Sequence, residues 1–80
     1  MTKKLMSKIL VIGACGQIGV ELTLALRKIH GTDNVIASDI RDVHPLLADG
    51  PFETINASDK EVILNIIVKE RVTEVYLLAA

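Results

Sequence analysis

Residues 9–19 read ILVIGACGQIG, a short apolar block followed by glycines at positions 13, 16 and 19. The block is apolar at every position, which is typical of a strand buried on both faces of a parallel sheet. The residues that follow predict a helix over 17–30, because apolar side chains recur there at spacings of three and four. The predicted apolar face consists of Ile18, Leu22, Ala25, Leu26 and Ile29. A strand, a glycine-rich turn and a helix therefore open the fold.

The end of this predicted helix carries cations and a glycine. Arg27, Lys28 and His30 occupy its last turn, where positive charge suits the negative end of the helix dipole. Gly31 follows and can adopt the left-handed backbone conformation that commonly ends a helix. We therefore expect the helix to stop near residue 30.

The middle of the chain predicts a second strand over 35–37, closed by Ser38 and Asp39. The stretch 41–51 holds enough Asp, Pro and Gly to be mostly loop. A short third strand is predicted over 52–55. Each of these segments is short, as expected for strands of a small sheet.

The last part of the chain predicts one more helix and one more strand. Ser58 and Glu61 have the spacing of a capping box, so the second helix should begin there and fade near 70–71. A fourth apolar block covers 75–79. The predicted fold class is therefore α/β, a doubly wound parallel sheet in strand order 3-2-1-4 with one helix on each face.

Composition excludes several classes of function. The chain has 80 residues and a formal net charge of −1, with no basic cluster, which argues against a nucleic-acid partner. The apolar runs, among them 9–12 and 75–80, are too short to cross a membrane. The single cysteine, Cys15, excludes an internal disulfide and a multi-cysteine metal site. We expect one domain in a cytoplasmic protein.

The glycine run has the pattern of a phosphate-binding turn. Gly13 would let the chain turn off the strand, Gly16 would let a pyrophosphate approach the backbone, and Gly19 would let the helix pack closely on the sheet. The backbone amides of Gln17 and Ile18 would face the anion at the positive end of the helix dipole. The predicted ligand is a dinucleotide.

An acidic residue at the end of the second strand supports the same ligand. Asp39 lies 20 residues beyond Gly19 (39 − 19), the spacing at which a carboxylate meets the ribose hydroxyls of a dinucleotide. A carboxylate repels a 2′-phosphate, so NAD is favoured over NADP. Arg41 either softens that preference or, the interpretation we favour, is a solvated loop cation.

Three further residues are candidates for contact with the cofactor. Asn56 and Ala57 follow the third strand, where they would either read the adenine edge or simply turn the chain into the next helix. Ala79 ends the fourth strand, where a small side chain would either admit the cofactor or fit a tight core. The predicted site contains no catalytic residue and no metal ligand.

The loop from Gly13 to Gly19, taken with Asp39, resembles the extended short-chain dehydrogenase/reductase superfamily. The stretches 12–19, 34–41, 50–53 and 75–80 are similar to the short-chain-type L-threonine 3-dehydrogenases within it. The resemblance implies a Rossmann fold, NAD as cofactor, and Ile40 beside the adenosine ribose. It also implies that the full-length protein is a homo-oligomer that oxidises the 3-hydroxyl of L-threonine.

The resemblance covers only the front of such an enzyme. Its members use a Tyr-x-x-x-Lys pair for hydride transfer, but the residue four positions after Tyr76 is Ala80. We therefore expect residues 1–80 to be the N-terminal part of an NAD-binding domain, inactive alone and prone to self-association at the edge of the fourth strand. A nucleotide-sugar epimerase or dehydratase, or a non-catalytic NAD-sensing module, remains as an alternative.

Overall fold

The computed structural model describes residues 7–78. Its elements, in chain order, are β1 (Ile9–Ile12), α1 (Gln17–His30), β2 (Val35–Asp39), β3 (Phe52–Thr54), α2 (Lys60–Lys69) and β4 (Glu74–Leu77). The four strands form one parallel sheet in the order β3-β2-β1-β4. The predicted fold class and strand order are confirmed. Ala79, predicted to end the fourth strand, lies outside the described residues.

The register of the sheet brings the carboxyl ends of its strands to one edge. Ile12, the last residue of β1, pairs with Ser38 of β2 on one side and with Leu77 of β4 on the other. On the far side of β2, Asp39 pairs with Thr54 at the end of β3. The residues that directly follow the strands therefore meet along this edge, where ligands bind in open α/β sheets.

Successive residues of β1 supply two separate cores. Ile9 and Val11 pack with Val20 and Leu26 of α1, whereas Leu10 and Ile12 pack on the other face with Ile66 of α2. All four side chains of β1 are buried, as expected for a strand covered on both faces. The prediction of one helix on each face is confirmed.

The buried face of α1 differs from the predicted one. The residues of α1 that are buried are Gly19, Val20, Thr23, Leu26 and Arg27. Ile18 and Ile29 are each 72% exposed, Ala25 is exposed and Leu22 is half-buried. Of the predicted apolar face, only Leu26 is therefore fully buried. The buried face of α1 differs because it includes Gly19, which contacts the preceding turn, and Arg27, whose guanidinium bonds backbone carbonyls outside the helix.

Arg27 is a buried clamp rather than a surface cation at the helix end. Its guanidinium donates hydrogen bonds to three backbone carbonyls, from Nε to Val35 (3.2 Å), from Nη1 to Leu47 (3.0 Å) and from Nη2 to Pro51 (2.8 Å). The side chain is only 4% exposed, and the Asp49 carboxylate lies 3.6 Å from Nη1. Burial lowers the pKa of Arg27, and the charge of Asp49 opposes that effect. Arg27 thus ties α1 to the start of β2 and to the loop before β3.

The predicted capping box at the start of α2 is wrong. Asp59 is the N-cap, and its Oδ1 accepts a hydrogen bond from the Val62 amide (3.3 Å). The Ser58 hydroxyl donates instead to Asn56 Oδ1 (2.8 Å). Asp and Ser are about equally good N-caps, so the bond to Asn56 decides which of the two residues caps the helix.

Within residues 7–78, every helix is too short or too polar to cross a membrane.

We expect Arg27→Met to lower the free energy of unfolding by about 3 kcal/mol, because the carbonyls of Val35, Leu47 and Pro51 would each lose a hydrogen bond from the guanidinium. Urea denaturation followed by circular dichroism measures this loss. Lys28→Met, at the exposed neighbouring position, serves as the control and should change stability by less than about 0.5 kcal/mol. Equal effects of the two substitutions would show that Arg27 is not a clamp.

Candidate functional site

A cavity of about 410 Å³ opens at the carboxyl edge of the sheet. It lies over the ends of β1, β2 and β3, beside the N-terminus of α1. The residues that line it are Ile12, Gly13, Gly16, Asp39, Ile40, Arg41, Ile55, Asn56, Ala57 and Leu78. Six of the predicted site residues, from three separate stretches of sequence, therefore meet at one surface.

The turn out of β1 is fastened to the end of β2. The amides of Gly13 and Ala14 both donate to the Ser38 carbonyl at 2.9 Å, and the Cys15 amide donates to Asp39 Oδ2, also at 2.9 Å. Gly13 has φ +91°, a conformation that favours glycine. Three consecutive amides thus hold the turn against β2.

Position 19 requires a glycine for steric reasons. A Cβ at this position would overlap the Gly13 carbonyl oxygen and lie 2.8 Å from Ala14 Cα. The close neighbour of Gly19 is therefore the backbone of the turn, whereas the sequence analysis predicted the sheet. This contact sets the position of α1 relative to the turn.

Gly16 differs from the other two glycines, because no atom of residues 7–78 would clash with a side chain there. Its backbone is extended, with φ −74° and ψ 169°, and the atoms nearest to an added Cβ would be Arg41 Nη2 at 3.8 Å and the Gly13 carbonyl oxygen at 3.9 Å. Both separations are ordinary van der Waals contacts. The missing side chain therefore leaves room on the cavity side.

The N-terminus of α1 presents free amides beside Gly16. No side chain caps this end of the helix, in contrast to Asp59 at α2. Val20 donates to the Gly16 carbonyl (2.8 Å) as the first helical bond, so the Gln17 and Ile18 amides precede that bond and point out of the helix. They lie at the positive end of the helix dipole, which favours an anion.

Asp39 is a buried carboxylate held by three donors. Its Oδ2 accepts from the Cys15 amide, and its Oδ1 accepts from the Arg41 amide (3.0 Å) and from Arg41 Nε (3.3 Å). Burial, which leaves the residue 5% exposed, tends to raise the pKa of Asp39, but the hydrogen bonds and the charge of Arg41 hold that pKa below its ordinary value. The side chain is therefore ionised at neutral pH and joins the turn to the cavity.

Arg41 is a largely exposed loop cation, as the sequence analysis favoured, and it also forms an ion pair. Although its side chain is 64% exposed, its Nε pairs with Asp39 at 3.3 Å, and its Nη2 lies near Gly16. The signal available in the sequence for this ion pair was the position of Arg41 two residues after Asp39, at the end of β2. Ile55 and Leu78 also line the cavity and were missed, although each directly follows a strand.

Asn56 and Ala57 lie where the chain leaves β3. Asn56 Oδ1 accepts from the Ser58 amide (2.9 Å) and from the Ser58 hydroxyl (2.8 Å), and the Asn56 carbonyl accepts from the Asp59 amide (2.9 Å). The predicted role of Asn56 in turning the chain is therefore present. Both residues also line the cavity, so contact with a base stays a prediction for them.

The remaining predicted residues lie beside the cavity or beyond the described part of the chain. Gln17, Ile18 and Gly19 form the first turn of α1, and none of the three lines the cavity. Ile40 lines it and is exposed. Ala79 falls outside the described residues.

Cys15 contributes its backbone rather than its thiol to this arrangement. Its Sγ lies 3.4 Å from the Asp42 carbonyl oxygen. Cys15 is the single cysteine of the chain. Across residues 7–78, no three or more His, Cys, Asp and Glu side chains form a group that could hold a metal ion.

Comparison with curated proteins gives relatives of much greater length. Two proteins from Staphylococcus aureus, strains USA300 and NCTC 8325, carry the name "uncharacterized epimerase/dehydratase" and are each 42% identical over 64 residues. The matched residues make up 78% of this chain and 20% of each relative. The chain therefore spans about a fifth of the length of these curated relatives. No protein-family model matches the chain.

Solved structures of L-threonine dehydrogenases share the fold. The enzyme from Clostridium difficile superposes with a TM-score of 0.87 at 42% identity, over 96% of this chain and 25% of that one. The Trypanosoma brucei L-threonine 3-dehydrogenase gives 0.85 at 35%, over 95% and 25%. A GalE-like L-threonine dehydrogenase from Cupriavidus necator, in its holo form, gives 0.80 at 44%, over 91% and 23%. The resemblance to extended short-chain dehydrogenases is thus confirmed.

We expect Gly19→Ala to lower the free energy of unfolding by more than about 2 kcal/mol, because the added methyl overlaps backbone that cannot move without breaking the turn. Thermal and urea denaturation measure the loss. Gly16→Ala is the matched control, since its backbone and surroundings accept a Cβ, and it should leave stability within about 1 kcal/mol of the parent. Equal losses would contradict the different roles given to the two glycines.

Proposed function

The chain resembles the N-terminal part of extended short-chain dehydrogenases/reductases in sequence and fold, and we propose that it binds NAD(H). Residues 1–80 would form the N-terminal part of a Rossmann domain that holds the AMP half of the cofactor. The observation that carries the proposal is Gly16, which lines the cavity beside the uncapped start of α1 although its described surroundings would accept a side chain. A pyrophosphate would need the space that this glycine leaves and the backbone amides at the start of the helix.

Each predicted site residue then has a place along the cofactor. The pyrophosphate would lie on Gly13 and Gly16, against the amides of Gln17 and Ile18, while Gly19 keeps the helix close to the turn. The adenosine ribose would donate to Asp39 and lie beside Ile40. Asn56 and Ala57 would meet the base. Ala79, outside the described residues, stays a proposed contact of the cofactor.

The charge of Asp39 favours NAD over NADP. Its pKa is held below the ordinary value, so the carboxylate stays ionised at neutral pH and repels a 2′-phosphate. Arg41, paired with the same carboxylate, offsets only part of that charge because most of its side chain is in solvent. We therefore expect NADH to bind more tightly than NADPH.

For the full-length protein we propose the activity of an L-threonine 3-dehydrogenase. It would convert L-threonine and NAD into 2-amino-3-oxobutanoate and NADH, in a homo-oligomeric enzyme. The support is the similarity to several solved L-threonine dehydrogenases across more than nine-tenths of this chain. Residues 1–80 contribute cofactor binding to this activity, since Tyr76 has Ala80 and not Lys four positions later.

A nucleotide-sugar epimerase or dehydratase is the second candidate. The observation that favours it is the name epimerase/dehydratase carried by the curated relatives. A non-catalytic NAD-sensing module is the third, because cofactor binding alone requires only the features of this cavity. Turnover of L-threonine by the full-length protein separates the first candidate from the other two, and turnover of a nucleotide sugar separates the second from the third.

We expect the protein to bind NADH and Gly16→Ala to weaken that binding at least about tenfold, because the methyl occupies the space of the pyrophosphate. Isothermal titration calorimetry measures the dissociation constants. Arg71→Ala, at an exposed position beyond α2, removes a cation away from the cavity and should leave the affinity unchanged. Undiminished NADH binding by folded Gly16→Ala would refute the proposed site.

The purified 80-residue chain should not reduce NAD in the presence of L-threonine, because it contains no Tyr-x-x-x-Lys pair to accept the hydroxyl proton. Absorbance of NADH at saturating L-threonine and NAD checks this, with the full-length protein as the positive control. Turnover by the 80-residue chain would contradict the proposal that residues 1–80 bind the cofactor without catalysing the reaction.

A further inference from the structure

Helix α1 has a second apolar face, which the described part of the protein leaves uncovered. Ile18 and Ile29 are each 72% exposed, Ala25 is exposed, and Leu22 is half-buried at the margin of the core. These four residues follow one another at spacings of four, three and four, so they form a continuous stripe along one side of the helix. The fully buried residues of α1 lie on a different side. A stripe with this spacing is the surface that one helix presents to another.

The exposed stripe is symmetric about the centre of the helix. α1 has 14 residues, 17–30, so its midpoint falls between the seventh and the eighth. Leu22 and Ala25 lie at equal distances on either side of that midpoint, and so do Ile18 and Ile29. If two copies of α1 lie antiparallel about a twofold axis, Ile18 therefore meets Ile29 of the second copy, and Leu22 meets its Ala25. The stripe is complementary to itself in this arrangement.

The charges beside the stripe are complementary in the same arrangement. Glu21 and Lys28 are exposed and flank the stripe on the side away from the buried face of α1. Within residues 7–78, neither of them forms an ion pair. Because they are seven residues apart (28 − 21), they occupy equivalent positions of the helical repeat, and antiparallel pairing brings Glu21 of each copy beside Lys28 of the other. It also sets the positive end of each helix dipole beside the negative end of the other.

We propose that the exposed stripe of α1 is a docking surface for a second copy of this chain, and that the two copies form a twofold symmetric, antiparallel helix pair. The dimer is weak, because four residues per copy are far fewer than the roughly 20–30 per partner of a standard interface. Its contacts are separate from the proposed NAD(H) site. Ile18 contributes its side chain to the stripe, whereas only its backbone amide belongs to that site.

The free edge of β4 is the other surface at which copies of the chain can associate. β4 has only four residues and begins with Glu74, and short, charged edge strands pair poorly with other chains. The Leu78 amide donates to the Ile12 carbonyl (2.8 Å), so the amide of Leu77, the preceding residue, faces away from β1. Leu77→Pro therefore removes a donor from the free edge without removing a hydrogen bond of the sheet. This substitution distinguishes pairing of strands from pairing of helices.

Sedimentation equilibrium of the 80-residue chain, at concentrations up to about 1 mM, measures the monomer–dimer dissociation constant. We expect Ile29→Asp to raise that constant at least about tenfold, because its carboxylate would be buried against Ile18 of the second copy. Val68→Asp is the matched control, since it adds the same charge at an apolar position of α2 that is 77% exposed. Val68→Asp and Leu77→Pro should both leave the constant within about twofold of the parent. A melting temperature for each variant establishes that it is folded.

Reversal of charge tests the orientation of the two helices. Glu21→Lys should weaken the dimer at least about threefold, because it turns two attractive pairs into repulsive ones. Addition of Lys28→Glu to the same chain should restore the dissociation constant to within about twofold of the parent, because both pairs are again attractive. The rescue is specific to a pairing in which Glu21 and Lys28 of different copies are neighbours.

Three results would overturn the interface: a parent chain that stays monomeric at about 1 mM, equal effects of Ile29→Asp and Val68→Asp, or no rescue by the double reversal. Association that Leu77→Pro abolishes and Ile29→Asp does not would place it at the edge of β4 and overturn the helix pair as well. Each of these results leaves NADH binding, and with it the proposed function, to be decided by its own titration.

Discussion

The structure depends on the fastening of one turn to the end of β2. Three consecutive amides are held there, those of Gly13 and Ala14 by the Ser38 carbonyl and that of Cys15 by the Asp39 carboxylate. These bonds use up the donors of the turn as far as Cys15. The next donors along the chain, the Gln17 and Ile18 amides, lie at the start of α1 beside the cavity. The contacts that order the turn therefore do not use the amides that we propose bind the anion.

Asp39 joins the stability of the turn to the chemistry of the cavity. An ionised carboxylate has about four acceptor positions, and three donors already bond Asp39 in the described structure. The Cys15 and Arg41 amides are fixed by the backbone, whereas Arg41 Nε belongs to a largely exposed side chain. Only that third donor can leave without disturbing the turn. A ligand that needs both carboxylate oxygens thus competes with Arg41 and not with the fold.

The fold could be predicted because local patterns and topology agree. Continuous apolar blocks marked the strands, and the right-handed crossover rule fixed their order. The orientation of α1 could not be predicted in the same way, since the exposed pair Ile18 and Ile29, 11 residues apart (29 − 18), has a more regular helical spacing than the buried pair Val20 and Leu26, six apart (26 − 20). Which set is buried depends on contacts distant in sequence, above all those of Arg27 with Leu47 and Pro51. A basic residue in a last helical turn gives no sign that it will be buried.

The residues of the candidate site were predicted where glycines and polar residues follow strands, but not at Ile55 and Leu78. Glycines, Asp39 and Asn56 were identified because parallel strands bring their carboxyl ends to one edge. The contacts of Arg41 and Ser58 were not predicted, because they depend on where side chains point after a loop. At Ser58 a local rule, the capping box, competed with a bond to Asn56 that the rule does not consider.

Strand β4 places its one tyrosine away from the cavity. Successive residues of a strand point to opposite faces, and Tyr76, opposite Val11, packs into the core beneath α1. The cavity is instead reached by Leu78, two residues later, at the edge of the sheet. Moving Tyr76 to the cavity would shift the whole strand by two residues and remove a half-buried ring from the core. In the dehydrogenase activity that we propose, Tyr76 would therefore not be the proton acceptor.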